Sequence, residues 1–174
     1  VDYDDYTDSD GVRLYSVWGD VNSDSISYSH SWSVYNSVAG VNGQTKYTSS
    51  QYSFTLKVRP YNLRLFFLQA PLSGTISVYI NGDLIRSYVV PQSDSYSVYT
   101  VDLSSYNSDQ ICDIVVVNHA NSVSSGSYNQ SGRCYFAGYN NFESLVDDEA
   151  PFIPFTGILL FFALVVSIVI FILR

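Results

Sequence analysis

Asp8-Ser9-Asp10-Gly11 is spaced like part of a calcium-binding loop. A twelve-residue calcium loop of the EF-hand type also needs an acid where Tyr6 stands and a glutamate where Val17 stands. Both are missing, so that motif fails. An irregular calcium site and a solvated acidic arm remain, and the arm is preferred because the stretch is short of apolar residues. The other chemistry-bearing residues are few. There are two cysteines, Cys112 and Cys134, and two histidines, His30 and His119. In an oxidising compartment the cysteines read most simply as one disulfide, closing a loop of about 23 residues and contributing roughly 3 kcal/mol. Two free buried thiols are the other reading. Neither histidine stands at metal-ligand spacing from them.

Motifs of catalysis are missing. The chain has no G-x-S-x-G, no Gly-rich phosphate loop and no H-E-x-x-H. Paired carboxylates for sugar hydrolysis would have to face each other across a cleft, but the aspartates fall mostly at turns and Glu143 lies late in the chain. The chain therefore reads as a non-enzyme that needs no cofactor. Aromatic residues among Asn, Ser and Gly carry more information. "SYNQSGRCYFAGYNNF" places Tyr128, Tyr135, Tyr139 and Phe142 in such a mixture. Tyrosine gives contact area and a hydrogen bond at low entropic cost, so these four form a candidate recognition surface. The bland reading is that they cover the edges of a sheet. Asn129-Gln130-Ser131 is the one glycosylation sequon.

Strands must position these residues. Sixteen tyrosines, abundant Ser, Thr and Val, and few Glu, Lys or Ala favour strands and turns over helices. "GVRLYSVWGD" reads as a first strand. In "SISYSHSWSVYNS", Ile26, Tyr28, His30, Trp32 and Val34 share one face and five serines share the other, the pattern of one half-buried antiparallel strand. His30 is expected to pack on the apolar face. "VAGVNGQ" reads as a turn. "QYSFTLKVRP" and "NLRLFFLQA" are two further strands, and "TISVYINGDLIRSYVV" is a hairpin turning at Asn81-Gly82. "SYSVYTVDL", "ICDIVVVNHA" and "RCYFAGYNNF" complete the set, with "NSVSSGSYNQSG" as a long loop. Turn signals every 8–12 residues predict an all-β antiparallel sandwich of jelly-roll type.

From Thr75 to Asn118 the chain resembles the jelly rolls of carbohydrate-binding modules and galactose-binding-like domains. "ISVYINGDLIRSYVV", "SYSVYTVDLSS" and "CDIVVVN" carry the likeness. Tyr96 stands where a Trp is usual, and Ser108-Asp109-Gln110 replaces a Gly. The resemblance implies a sugar-binding β-sandwich. Asn118, at a strand end, is the site position it carries over.

The last stretch differs in kind. Between Phe155 and Leu173, 15 of 19 residues are Ile, Leu, Phe or Val, and none is charged. As a helix this run is about 28 Å long at ~1.5 Å per residue, close to a hydrocarbon core of roughly 30 Å. Phe155, Leu160, Phe162, Val166, Ile170 and Leu173 are expected to anchor the chain in the bilayer, with Arg174 marking the inner side. Residues 1–11 then form an acidic arm, 12–142 the sandwich, 143–154 an acidic and proline-bearing stem, and 155–173 the membrane helix. The chain lacks Met and opens at Val1, which fits removal of a secretory signal.

With a net charge of −8 and no basic patch, nucleic acid is excluded as a partner. The expectation is a single-pass surface or envelope structural protein of a cell or virion. Its sandwich would lie outside, and its partners would be the bilayer and other protein subunits or further copies of itself. The alternative is a membrane-tethered carbohydrate-binding or adhesion module with a glycan partner.

Overall fold

A computed structural model describes residues 6–7, 13–36, 40–125 and 128–144. The strands are β1 (Tyr6–Thr7), β2 (Arg13–Gly19), β3 (Ile26–Tyr28), β4 (Ser33–Asn36), β5 (Gln44–Thr48), β6 (Ser53–Val58) and β7 (Arg64–Leu68). They continue as β8 (Thr75–Ile80), β9 (Asp83–Val89), β10 (Val98–Asp102), β11 (Cys112–Asn118), β12 (Ser122–Ser125), β13 (Tyr128–Ser131) and β14 (Cys134–Ser144). Every pairing between these strands is antiparallel.

β14 is the spine of a seven-stranded sheet. Its first residues pair with β5 and its last six with β2, while β7 lies along its other edge. β4, β1 and β10 extend the sheet outward from β5, β2 and β7. A five-stranded sheet, in the order β3-β6-β11-β8-β9, faces it. Alternation builds the core between them. In β11, Cys112, Ile114, Val116 and Asn118 are buried while Asp113 is exposed. Phe54, Leu56, Ile76 and Val78 join from the same sheet, and Leu65, Phe67, Val101 and Phe136 from the other. Phe136 bridges the layers, with its ring 4.2 Å from Phe54 and 5.7 Å from Phe67. Each fully buried side chain of this size stabilises the fold by about 1.5–3 kcal/mol relative to exposure. The β8–β9 hairpin turns at Asn81 (φ 51°) and Gly82 (φ 92°), the two left-handed residues that a type I′ turn requires.

Three expectations are corrected. The run from Ser25 to Val34 is two strands in different sheets. β3 pairs with β6, the chain bends at Ser29–His30, and β4 pairs with β5 across the sandwich. Trp32 fills this corner, with its ring 5.2 Å from Tyr28 and 5.7 Å from Phe54. Beyond the corner the burial pattern ends, so Val34 is 54% exposed on the outlying β4. His30 is exposed too, and stacks flat on Tyr52 at 4.1 Å. The Ser/Gly stretch after Asn121 contains the hairpin β12–β13 rather than a plain loop. A further strand, β5, follows the turn at residues 41–43.

The disulfide is also corrected: Cys112 and Cys134 are free and buried. The topology explains this. Cys134 pairs across to Thr48, and the Asn118 side chain reaches the Thr48 carbonyl, so Cys134 lies at the Asn118 end of the sandwich. Cys112 begins β11, six residues before Asn118, which is about 20 Å away at ~3.3 Å per residue. A disulfide needs Cα atoms within roughly 7 Å.

The apolar run 155–173, with Phe155, Leu160, Phe162, Val166, Ile170, Leu173 and Arg174, lies outside the described residues. Among the described residues no helix is long and apolar enough to cross a membrane.

Candidate functional site

The site begins with a bulge. β14 pairs Phe136 with Phe67, then Gly138 with Phe66, so one extra residue enters β14 between them. Without it, Phe136, Gly138 and Asn140 would share a face. With it, Phe136 and Tyr139 both face the core, while Asn140 and Phe142 face outward. Gly138 has a φ of +131°, a conformation that side-chain-bearing residues avoid.

Outward from this bulge, four strands form a cleft of about 390 Å³. Strand β2 supplies Ser16 and Trp18, and β14 supplies Asn140 and Phe142. Strand β7 supplies Arg64 and Phe66, and the edge strand β10 supplies Thr100 and Asp102. The register sets Trp18, Asn140, Arg64 and Asp102 abreast, one from each strand. Trp18 leans over β14 and stacks on Phe66, with ring centroids 5.5 Å apart and planes 13° from parallel. One face of the indole is thus held against a ring, yet Trp18 stays 62% exposed. It is a flat aromatic platform fixed from below.

Polar groups surround the platform. The Asn140 amide donates to Ser16 Oγ at 2.7 Å and to the Val17 carbonyl at 3.2 Å, which fixes its rotamer. Arg64 Nε lies 3.8 Å from Asp102 Oδ2, with both side chains half exposed. Hydrogen bonds from Ser104, with a smaller contribution from Arg64, hold the Asp102 carboxyl below its ordinary range. Such a surface can stack on the flat apolar face of a ring and hydrogen-bond the groups around its rim. It holds no histidine or cysteine, and its one carboxylate is paired with arginine. Among the described residues no three His, Cys, Asp or Glu side chains gather as metal ligands.

Of the residues singled out in the sequence, Phe142 lines this cleft. Asn118 is fully buried, and its amide nitrogen donates to the carbonyls of Thr48, Ser50 and Gly132 at 3.0–3.3 Å. It ties three segments together inside the fold. Tyr135 is 8% exposed, stacks on Tyr47, and accepts a hydrogen bond from Arg133; burial raises its pKa. Tyr139 is buried beneath Gly19, where any Cβ would overlap its ring, and its hydroxyl lies 3.3 Å from Ser23 Oγ. Tyr128 stands in β13, and its side chain lies outside what is described.

Sequence reading missed Trp18, Phe66, Arg64, Asp102, Thr100 and Asn140. One signal was present. In "RLYSVWG", Trp18 alternates in phase with Ser16 and out of phase with Val17, which marks a large aromatic on the outward face. Asn140 could not be placed outward, because the bulge resets the alternation just before it.

Elsewhere, Ser77 Oγ lies 2.6 Å from both Ser87 Oγ and His119 Nε2. This hydrogen-bonded chain ties β8, β9 and the end of β11 on the opposite sheet.

No protein-family model matches the chain, and no curated protein matches it in sequence. Solved structures match in fold. The chain is similar to a two-domain esterase active on acetylated mannans, co-crystallised with mannopentaose, at a TM-score of 0.51 and 11% identity. That match covers 74% of this chain and 36% of the esterase, so the chain spans about a third of the esterase's length. The same esterase without the sugar gives 0.50 and 10%. A family 35 carbohydrate binding module from Clostridium thermocellum gives 0.48 and 10%, over 72% of this chain and 97% of the module. At these identities the likeness is one of fold, and the jelly-roll resemblance read from Thr75 to Asn118 is met at that level by the sandwich as a whole.

Proposed function

We propose that this chain is a carbohydrate-binding module without catalytic activity, and that its ligand face is the cleft around Trp18. The observation that carries the reading is the Trp18 indole, exposed on one face and supported on the other by Phe66. An exposed Trp is destabilising to solvate, and a ring partner beneath it holds it in the one orientation useful for stacking. Sugars offer the matching surface, a flat array of C–H groups ringed by hydroxyls. Arg64, Asp102, Thr100 and Ser16 place donors and acceptors along the cleft for such hydroxyls, while Asn140, 4% exposed, fixes Ser16 from beneath. The fold relative active on acetylated mannans, co-crystallised with mannopentaose, supports this reading over that of a structural envelope subunit. The cleft also offers no nucleophile paired with a base.

The apolar run 155–173 would tether the module to a bilayer, with Arg174 inside and the sandwich outside. The test is a glycan array probed with the full chain in a detergent that contains no sugar. Binding to at least one glycan, lost in Trp18→Ala while the variant still unfolds in one cooperative thermal transition, is the expected result. An array blank for the folded wild-type chain would overturn the reading.

A further inference from the structure

Resting on the carbohydrate-binding reading, we propose that the Trp18 cleft takes an uncharged, linear glycan along its length, laid across the strands, and not a chain end or a polyanion.

The first support is the shape of the row. Trp18, Asn140, Arg64 and Asp102 stand abreast on β2, β14, β7 and β10. Adjacent strands lie about 4.8 Å apart, so three gaps give a row of roughly 14 Å, space for about three sugar rings side by side. A single ring over the indole would leave the far end of the row, at Asp102 on the edge strand β10, unused. No described strand continues the sheet past either end of the row. β10 is the edge strand of its sheet, and β1 covers only Arg13 and Leu14 of β2, well short of Trp18. Recognition of a chain end calls for a wall that stops the chain, and among the described strands none lies beyond β10 or beside Trp18 on the outer edge of β2.

The second support is charge. One cation and one anion line the cleft, and they are paired. Asp102 therefore offsets part of the Arg64 charge that a carboxylate or sulfate would meet, while the chain as a whole carries −8. A polyanion would meet the overall negative field, and the cleft's one arginine shares its charge with Asp102. The Arg64–Asp102 pair instead presents a donor next to an acceptor, which suits neighbouring hydroxyls.

The test uses calorimetric titration of the full chain in sugar-free detergent. The probes are cello-, manno- and xylo-oligosaccharides of one to six residues, with oligogalacturonides as the anionic set. Affinity for the best neutral series should rise about tenfold or more from one residue to three and then level off, since each added ring contributes on the order of one hydrogen bond. Borohydride reduction of the chain end should leave the affinity of the hexamer unchanged. Oligogalacturonides should bind more weakly at every length. Asp102→Asn should shift the preference toward them by unmasking Arg64. A monosaccharide that binds as tightly as a trimer, a loss on end reduction, or a preference for oligogalacturonides in the wild type would each overturn the proposal while leaving Trp18-dependent sugar binding in place. If wild type binds no saccharide in these series or on the array, the proposal and the reading beneath it both fall.

Discussion

Trp18 and Phe66 lie two strands apart, yet their rings stack within 13° of parallel. The contact crosses β14, so it exists only because the sheet holds β2, β14 and β7 in register. Stacked aromatic pairs contribute about 0.5–1.5 kcal/mol beyond area burial. Trp18→Ala is therefore expected to lower stability by about that amount plus a smaller share for the apolar area that Trp18 buries. It should weaken glycan binding by about tenfold or more, because stacking on the indole is lost. Phe66→Ala leaves the indole present but unsupported, and should weaken binding while Trp18 fluorescence shifts toward that of a mobile, solvated ring. Equal binding by both variants and the wild type would remove Trp18 from the site.

Asn118 shows how far a strand-end asparagine can be misread. From the sequence it stands before a long polar stretch and reads as a surface residue. In the fold, β11 ends inside the sandwich, and the residues after it double back as β12 and β13. Asn118 is fully buried there, and its amide satisfies carbonyls of Thr48, Ser50 and Gly132. Asn118→Leu should destabilise by about 2–4 kcal/mol, since each buried carbonyl left unpaired costs about 1–3 kcal/mol and some regain water. Asn118→Ala should be similar or worse, as it adds a cavity. Urea unfolding of either variant measures this. A change below about 0.5 kcal/mol, the range of surface substitutions, would place Asn118 at the surface after all.

The two thiols give a chemical check on the fold. Burial raises the pKa of Cys134 well above the ordinary thiol range. Its reactive thiolate is therefore scarce at neutral pH. Both cysteines should resist alkylation in the native protein and react fully in denaturant without prior reduction. Mass spectrometry that finds them joined as one peptide pair would contradict the separation of about 20 Å along β11.

Most strands were legible because alternation is a local property. β6, β10 and β11 each show it, and the Asn81-Gly82 turn fixes its own hairpin. The corner at Ser29–Trp32 was not legible, since the alternation continues while the strand changes sheets. Its test separates Trp32 from Val34. Trp32→Ala should lose about 3–5 kcal/mol, as large-to-small core changes do. Val34→Ala, on an exposed edge strand, should lose less than about 0.5 kcal/mol. Ser29→Ala should lose about 0.5–1.5 kcal/mol, because Ser29 Oγ accepts a hydrogen bond from the Ser53 amide. Equal losses at Trp32 and Val34 in urea titrations would restore the single continuous strand.

Binding should also report the state of Asp102. Its carboxyl is held below the ordinary value of 3.8, chiefly by Ser104. For a depressed carboxyl, the stabilised form is the charged one. Its contribution is full above the ordinary value and fades as pH falls through the lower folded value. Glycan affinity should thus be flat between about pH 5 and 8, and decline only below about pH 4. A decline near pH 6 would point to a histidine instead, and neither His30 nor His119 lines the cleft.

Gly138 joins fold to function most directly. The bulge it closes turns Tyr139 inward and Asn140 outward, so one residue sets both the core and the cleft. Gly138→Ala meets two obstacles. The φ of +131° disfavours any side chain, and the new Cβ would stand 2.7 Å from both the Gly19 carbonyl oxygen and a Val41 methyl group. Two responses are open to the chain. If it keeps the bulge, strain should lower stability by about 1–3 kcal/mol while glycan binding persists. If it removes the bulge, the alternation of β14 slips by one residue beyond Phe136. Tyr139 would then leave the core and Asn140 the cleft, so stability and binding would fall together. Ser23→Ala separates the two, because it removes the hydroxyl beside Tyr139 without touching the bulge. Hydrogen exchange at the amides of Tyr139–Phe142, alongside affinity for the best glycan, reads which response occurs. Unchanged stability and unchanged affinity in Gly138→Ala would mean that the bulge is not needed to aim these residues.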